Sequence, residues 1–401
     1  GAVEPFMYEK MSKENKLQIK KLLEDIWRNM THNIKDSRNI SLESLNEIAD
    51  SLYSYNAAGS LNHQLVDDLI YEDQLDSIIR KNIGVNNEEK IHSISFKKYL
   101  DKNLIENPMV IGSSFGSEKG KIAVVYAVGT IVSGKSSEGN MGSSTIVKAI
   151  NKANNDSTIK AVVLRVNSPG GSALASDIIL RELNLAKQKK KIVVSMGDYA
   201  ASGGYYISCN ADKIFANHTT ITGSIGVFGI VPNSEKLLNE KLGVYIDTVN
   251  THKYSDIGRG NRKLTNFELD VIQESVEGIY ETFIAHVSDG RGMSKLDVDK
   301  IGQGRVWSGI DALEVGLIDQ IGGLEDAIVS AAELSDLEDY RVVSLPKKTD
   351  EIEELLKGLT MKQNVFLKEI LNVSDEAIEQ IKFLNSRDRI QTILPYIIDI
   401  H

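Results

Sequence analysis

The chain has 401 residues, of which 41% are hydrophobic and 25% are charged, a composition typical of a globular protein with two or three cores. The formal net charge of −10 argues against a nucleic-acid partner, because binding phosphates requires a basic face. The only cysteine, Cys209, excludes an internal disulfide and a cysteine-based metal cage. We expect no metal and no cofactor.

The first part of the chain matches a later part in nearly constant register, which indicates an internal repeat. Ser41 aligns with Ser294 at a spacing of 253 residues, and the spacing then slips by one, so that Leu65 aligns with Leu317. The second copy follows a long α/β pattern, whereas the first copy stands at the start of the chain. The sequence therefore predicts a tandem-repeat protein whose first copy is truncated.

Short apolar runs rich in β-branched residues begin after the first copy and alternate with helical patterns. The runs cover residues 121–128, 161–166 and 192–194, and the helical patterns cover residues 143–154 and 173–188. This alternation predicts an α/β fold with buried parallel strands and right-handed crossovers.

These patterns divide the chain into three domains. We expect the C-terminal part of the first repeat, mainly helical, with a linker at 1–118, the complete second repeat as a catalytic α/β domain at 119–345, and a helical C-terminal extension at 346–401.

Two glycine-rich segments follow two of the predicted strands. Asn167–Ser172 follows the run at 161–166, and Gly197–Gly204 follows the next one. The carboxyl ends of parallel strands meet at one edge of a sheet, so the two segments should lie side by side. The backbone N–H groups of Gly170 and Gly171 suit an oxyanion hole, although a simple tight turn would have the same sequence.

Ser202 lies in the second glycine-rich segment between Ala201 and Gly203, where small neighbours leave room for a substrate carbonyl. A serine at this position is a candidate nucleophile or an ordinary helix N-cap. None of the seven histidines lies in a motif beside either glycine-rich segment. A neutral, desolvated lysine is the other route to a general base.

The order of three segments resembles signal peptide peptidase A of the long, tandem-repeat type, in peptidase family S49. The segments are Asn167–Ser172, Met196–Ser208 and Thr222–Val227. The resemblance covers the whole chain, since Gly1–Phe6 resembles the segment just after the catalytic lysine of the first repeat and Arg387–Gln391 resembles the family's end.

This resemblance implies a serine endopeptidase with a Ser/Lys dyad on a Clp/crotonase-like ββα superhelix, which degrades residual signal peptides. It also implies a homotetramer, anchored in the bacterial inner membrane by an upstream segment and facing the periplasm. Ser202 matches the family's nucleophile. The matching lysine would be the residue immediately before Gly1, so we expect this chain alone to be poorly active or inactive.

Two further residues are assigned through the same resemblance. Single-repeat members carry the lysine in a segment like Lys-Asp-Ile-Gly, and the matching segment here has Ser255 at the lysine position. Lys253, two residues earlier, is an alternative base or simply a surface lysine. Ser224 is a candidate for orienting the lysine or an ordinary turn hydroxyl.

Three other interpretations remain open from the sequence. Gly129–Ser136 fits the phosphate-loop pattern G-x-x-x-x-G-K-[ST]. A crotonase-like enzyme would use the same glycine N–H groups to bind an acyl-CoA thioester. The third interpretation is a catalytically silent fragment that lacks its lysine.

Overall fold

The computed structural model describes residues 4–86, 91, 93–95, 120–248, 252–346 and 390–393. The chain forms two compact units. The large unit comprises Gly1–Ile19 with Ile111–His401, and the small unit comprises Lys20–Val110.

The regular elements described before residue 96 are helices. They are α1 (Glu4–Met7), α2 (Lys13–Arg38), α3 (Leu42–Asp50), α4 (Ala57–Asn62) and α5 (Glu72–Ile83). The N-caps Ser41 and Asn56 fix where α3 and α4 begin, because each side chain accepts a hydrogen bond from a backbone N–H three residues on.

The rest of the described chain alternates strands and helices. The strands are β1 (Gly120–Val128), β2 (Thr130–Val132), β3 (Asn140–Gly142), β4 (Ile159–Ser168), β5 (Gly170–Ser172), β6 (Lys191–Ala201), β7 (Lys213–Ala216), β8 (Ile221–Gly223), β9 (Phe228–Gly229), β10 (Val306–Ser308), β11 (Gln320–Ile321), β12 (Tyr340–Leu345) and β13 (Ile390–Ile393). The helices are α6 (Ser143–Asn155), α7 (Ala173–Lys187), α8 (Gly203–Tyr206), α9 (Asn266–Arg291), α10 (Lys295–Ile301), α11 (Gly309–Glu314) and α12 (Leu324–Glu333), with a π-helical turn at Leu237–Lys241.

A sheet of eight strands forms the centre of the large unit. Its main path is β10-β8-β6-β4-β1-β12, with β7 beside β6 and β11 beside β7. All pairs are parallel except β10 with β8. The α/β class and the parallel strands predicted from the sequence are confirmed.

Residues 161–164 of β4 and 192–194 of β6 are all apolar because helices cover both faces of the sheet. Val162 and Leu164 point into a cluster with α6 and α7, whereas Val163 points to the opposite face and α12. All three side chains are fully buried. Two faces of burial explain why these runs show no polar alternation in the sequence.

A second, smaller sheet lies at the edge where the glycine-rich segments emerge. Its order is β3-β2-β5-β13-β9, and β13 is antiparallel to both of its neighbours. The described part of the predicted helical extension at 346–401 is thus the strand β13 and Pro346. The helices predicted between 347 and 389 lie outside the described residues.

Two helical stretches of the chain have the same internal spacing. The helices α2 and α9 each have 26 residues and begin 253 positions apart. Ser41 caps α3 as Ser294 caps α10. Each stretch also closes with a two-pronged ion pair, Arg38–Asp67 in one and Arg291–Asp319 in the other. The internal repeat expected from the sequence stays a prediction.

Candidate active site

Ser202 lies at the junction between β6 and α8, in a backbone conformation that L-residues rarely adopt. Its dihedral angles are φ 52° and ψ −114°. The surroundings hold it there, since its N–H donates to the carbonyl oxygen of Gly223 at 2.8 Å. Strain of this kind costs about 1–3 kcal/mol and persists only where the fold over-determines it.

The hydroxyl of Ser202 does not cap the helix that it precedes. Its side chain makes no capping hydrogen bond, whereas Ser172, Ser294 and Ser308 all cap the helices that follow them. The contact found for Ser202 Oγ is the Gly226 carbonyl oxygen at 3.5 Å, longer than a normal O–H···O bond. Ser202 therefore occupies the N-cap position of α8, but its side chain does not perform the capping role.

The glycine pair lies in a strand rather than in the turn expected from its sequence. Gly170 and Gly171 begin β5, and Ser172 caps α7 directly afterwards. Gly171 has φ 152°, and a Cβ there would lie 2.1 Å from the carbonyl oxygen of Ile131. Only glycine lets β5 approach β2 this closely. The Gly170 N–H points to Ser168 Oγ at 3.2 Å.

Hydrogen bonds and close packing hold the two glycine-rich segments together. Asn167 accepts from the Tyr199 N–H at 3.1 Å and donates to Asp198 at 3.3 Å. A Cβ at Gly204 would lie 2.7 Å from the Ser168 carbonyl oxygen, so α8 can pack on this strand only because residue 204 is glycine. Helix α8 also contacts β5. The predicted juxtaposition of the two segments is therefore seen in the structure.

Ser224 lies next to this junction. It follows β8, whose Gly223 pairs with Ala201 in parallel register. Ser224 has φ 49° and is 2% exposed, and its N–H donates to the Arg305 carbonyl oxygen at 2.7 Å. The structure thus brings Ser202, the glycine pair and Ser224 together at one edge of the sheet.

Lys253 has the properties of a surface cation. Its side chain is exposed, and its ammonium lies 5.0 Å from the centre of the Tyr254 ring. Hydrogen bonding to Tyr254 raises the pKa of Lys253, the opposite of what a neutral general base requires. Among the hydrogen bonds and ion pairs of the described residues, none joins Lys253 to Ser202.

The segment around Ser255 is fixed by an ionic cluster that sequence reasoning missed. Arg262 donates to both Asp256 and Glu268 at 2.7–2.9 Å. The carboxylates are 3% and 0% exposed. The Arg262 guanidinium lowers the pKa of Glu268 to about 2, with further help from Thr265. Nothing in the spacing of these residues distinguishes them from surface charges.

The phosphate-loop interpretation does not fit the structure. The motif requires a helix that begins at its lysine, but the next helix, α6, begins at Ser143 and not at Lys135. Within the described residues, no group of three or more His, Cys, Asp or Glu side chains could hold a metal ion. No described helix is both long and apolar enough to cross a membrane.

The sequence profile of peptidase family S49 matches residues 2–86 and 184–338, more than half of the chain. The chain belongs to peptidase family S49. The S49 match includes Ser202, Ser224 and both helical stretches of equal spacing.

Known proteins of similar sequence include two proteins named protease 4. The chain is 39% identical over 83% of its length to the one from Haemophilus influenzae, and 35% identical over 92% to the one from Salmonella typhi. It is 30% identical over 87% to a chloroplastic serine protease SPPA from Arabidopsis thaliana. The chain spans 54%, 59% and 52% of the length of these relatives.

Proposed function

We propose that this chain carries the nucleophile of a serine endopeptidase. The proposal is carried by Ser202 at the strand-to-helix junction beside the glycines of β5. Its backbone is strained, and its side chain makes no capping hydrogen bond. A sharp junction of this kind is how α/β hydrolases present a serine hydroxyl to a substrate. The serine protease named among the relatives supports the same chemistry.

The oxyanion of the acyl-transfer step would be stabilised by backbone N–H groups. We assign Gly170 and Gly171 to this role, as expected from the sequence, and add the N–H of Gly203. The Gly170 N–H would have to leave Ser168 Oγ to take part. The first N–H groups of a helix have no acceptor within it, and Gly203 directly follows the nucleophile.

The general base is proposed to be a lysine that directly precedes Gly1. Residues 4–19 belong to the same compact unit as Ser202, which supports a base from this end of the chain. Glu4 fixes the segment by accepting hydrogen bonds from the backbone N–H and the hydroxyl of Ser12, which lower the pKa of Glu4 to about 2. Ser224 would orient the lysine amine towards Ser202.

Residual signal peptides are the proposed substrates, and a homotetramer anchored in the bacterial inner membrane and facing the periplasm is the proposed assembly. These assignments rest on the family resemblance. The small second sheet adds physical support for a peptide substrate, because extended peptides bind by adding a strand to a sheet.

The test is labelling of Ser202 by a fluorophosphonate probe in two extended chains, one with Met-Lys and one with Met-Gln before Gly1. A general base accelerates attack by about 100-fold or more, so the Met-Lys chain should label that much faster than the matched control. Ser202→Ala should abolish labelling in both.

Labelling that persists in Ser202→Ala would refute the assignment of the nucleophile. Equal labelling of the two extended chains would refute the assignment of the base. In that case Lys253→Ala in each chain shows whether Lys253 supplies the base instead.

A further inference from the structure

Tyr206 lies one helical turn after Ser202 and fixes the peptide group that follows the proposed nucleophile. The backbone N–H of Tyr206 donates to the Ser202 carbonyl oxygen at 2.8 Å. That carbonyl and the Gly203 N–H belong to one planar peptide group, in which they point in opposite directions. Because the Gly203 N–H is assigned to the oxyanion, the hydrogen bond from Tyr206 sets the direction of this donor.

The side chain of Tyr206 joins helix α8 to helix α7. It is buried, and its hydroxyl donates to Asp177 Oδ1 at 2.9 Å. Its ring packs against the rings of Phe283 and His286 on α9, at 4.7 Å and 5.3 Å between ring centres. Burial and the charge of the Asp177 carboxylate raise the pKa of Tyr206, so the hydroxyl remains a hydrogen-bond donor in neutral solution.

Asp177 belongs to the helix that continues directly from the other assigned oxyanion donors. Ser172 is both the last residue of β5 and the N-cap of α7. The Ser176 hydroxyl donates to the Ser172 carbonyl oxygen at 2.9 Å, which holds the first turn of α7 to the end of β5. Asp177 is the next residue of that turn, so its place is coupled to those of Gly170 and Gly171.

The neighbouring Tyr205 has the same chemistry but a different partner. Its side chain is also buried, and its hydroxyl donates to the Leu317 carbonyl oxygen at 2.8 Å. Leu317 lies after helix α11, outside both glycine-rich segments. Both tyrosines therefore anchor α8, and Tyr206 is the one of the two that ties α8 to the helix after β5.

We propose that Tyr206 and Asp177 are positioning residues for the acylation of Ser202. Their hydrogen bond keeps the Gly203 N–H on α8 and the glycine pair on β5 at a fixed spacing, so that both halves of the oxyanion hole meet one oxygen atom. The proposal rests on the proposed function for the reaction, whereas the link between α7 and α8 is independent of it.

The test measures labelling of Ser202 by a fluorophosphonate in the full-length chain with Met-Lys before Gly1. The maximal labelling rate is separated from the half-saturating probe concentration. Loss of a whole oxyanion donor costs about 100- to 1,000-fold, so displacement of one in Tyr206→Phe should lower the maximal rate about tenfold. The half-saturating concentration should not change, because the hydrogen bond serves the transition state and not probe binding.

Tyr205→Phe is the matched control, since it removes a buried hydroxyl from the same helix. It should lower the midpoint of urea unfolding and leave the maximal labelling rate unchanged. This control separates a positioning role from a general loss of stability.

Two variants of the acceptor identify the hydrogen bond itself. Asp177→Asn keeps an acceptor oxygen and should retain most of the maximal rate, whereas Asp177→Ala should be as slow as Tyr206→Phe. Both single variants remove one and the same bond, so Asp177→Ala combined with Tyr206→Phe should be no slower than either alone.

An unchanged maximal rate in Tyr206→Phe, an equal loss in Tyr205→Phe, or additive losses in the double variant would overturn the proposal. So would an Asp177→Asn chain as slow as Asp177→Ala, because the charge of residue 177 would then matter and not its bond to Tyr206. A change confined to the half-saturating concentration would assign Tyr206 to probe binding and would also contradict positioning.

A readout without catalysis keeps the proposed function separate. Amide hydrogen exchange at residue 206 should quicken about tenfold in Tyr206→Phe and Asp177→Ala but not in Asp177→Asn. Unchanged exchange in all three chains would overturn the link between the helices. If exchange behaves as expected and the Met-Lys chain with Tyr206 and Asp177 intact is not labelled, the proposed function fails and the link between α7 and α8 stands.

Discussion

Ser202 combines a strained backbone with a hydroxyl whose contact among the described residues is a long one, 3.5 Å to the Gly226 carbonyl oxygen. Its ψ of −114° lies outside the common left-handed region, so steric contacts of the Cβ add to the strain of the backbone. The interactions that maintain this geometry come from β8, through the Gly223 carbonyl oxygen. The position of the hydroxyl is therefore set by its sheet neighbours and not by the side chain itself.

Replacing Ser202 with glycine should stabilise the chain relative to replacing it with alanine. Both variants lack the hydroxyl, but only glycine adopts this backbone conformation without strain, an advantage of about 1 kcal/mol after its larger unfolded-state entropy is counted. The midpoints of urea unfolding measure the difference. An alanine variant as stable as the glycine variant would show that residue 202 is unstrained.

Cys209 should be inert to thiol reagents in the folded chain. The side chain is fully buried, and burial raises the pKa of its thiol to about 12, so almost no thiolate forms at pH 8. We expect no reaction with Ellman's reagent over an hour and one reactive thiol per chain in urea. Fast reaction without denaturant would contradict the burial of this residue.

At the scale of elements, the close approach of β5 to β2 depends on Gly171. A methyl group there would meet the backbone of Ile131, which has no flexible end that could move aside. The short strand β5 can therefore pack against β2 only because residue 171 has no side chain.

Gly171→Ala should destabilise the chain by about 3 kcal/mol, because overpacking against backbone adds to an unfavourable φ. Gly292→Ala is the matched control, since Gly292 also has a positive φ but its Cβ would meet nothing within 4 Å. That substitution should cost about 1 kcal/mol. Urea unfolding measures both, and equal losses would show that the contact with Ile131 is unimportant.

The ion pairs of Arg262 should make the free energy of unfolding fall as the pH is lowered into the acid range. Arg262 lowers the folded-state pKa of Glu268 to about 2 from an ordinary 4.5, so this stabilisation is complete above pH 4.5 and is lost as pH falls towards 2. In Arg262→Met the buried carboxylate loses its cation and its pKa rises. The decline in urea midpoint between about pH 5 and pH 3 should then shrink or reverse.

Arg259→Met is the control for this measurement, since Arg259 is an exposed arginine of the same loop. It should follow the original chain across the whole acid range. A decline of unchanged steepness in Arg262→Met would mean that Glu268 does not depend on Arg262.

The sequence predicted the elements that are buried on both faces, because their residues are nearly all apolar. The runs at 121–128 and 161–166 became β1 and β4 because side chains buried on both faces must be apolar. Strand β5 and the Arg262 cluster were not predicted, since Gly-Gly-Ser has the composition of a turn and charged residues usually lie on the surface. Their conformations depend on partners far away in sequence, which local pattern does not encode.

The candidate site was predicted only in part, because local pattern shows its residue types but not their long-range partners. Ser202, Gly170 and Gly171 were found through glycine-rich segments and a family resemblance, and the structure brings them together with Ser224. The absence of a capping hydrogen bond from the Ser202 side chain could not be predicted, because a serine before a short helix usually caps it. Nor could the place of residues 390–393, which depends on pairing with strands that precede them by more than 150 residues.

At the scale of the whole molecule, the two helical stretches of equal spacing differ in how far their ion pairs are buried. Arg291 is 8% exposed and Asp319 is 33% exposed, whereas Asp67 is 88% exposed. Arg291→Ala should therefore destabilise the chain by about 2 kcal/mol, because it leaves a half-buried carboxylate without its cation.

Arg38→Ala in the other stretch should have little measurable effect, since an exposed ion pair contributes almost nothing. Thermal unfolding of the two variants provides the comparison. A larger loss for Arg38→Ala than for Arg291→Ala would show that these exposures do not describe the protein in solution.

The equal spacing of the two helical stretches suggests an exchange of one stretch for the other. A first helix of 26 residues, a serine cap and an arginine–aspartate ion pair recur in both stretches, and the ion pair is more buried in the second stretch than in the first. We therefore expect a chimera that exchanges residues 13–67 and 266–319 to retain both 26-residue helices while exchanging their surfaces.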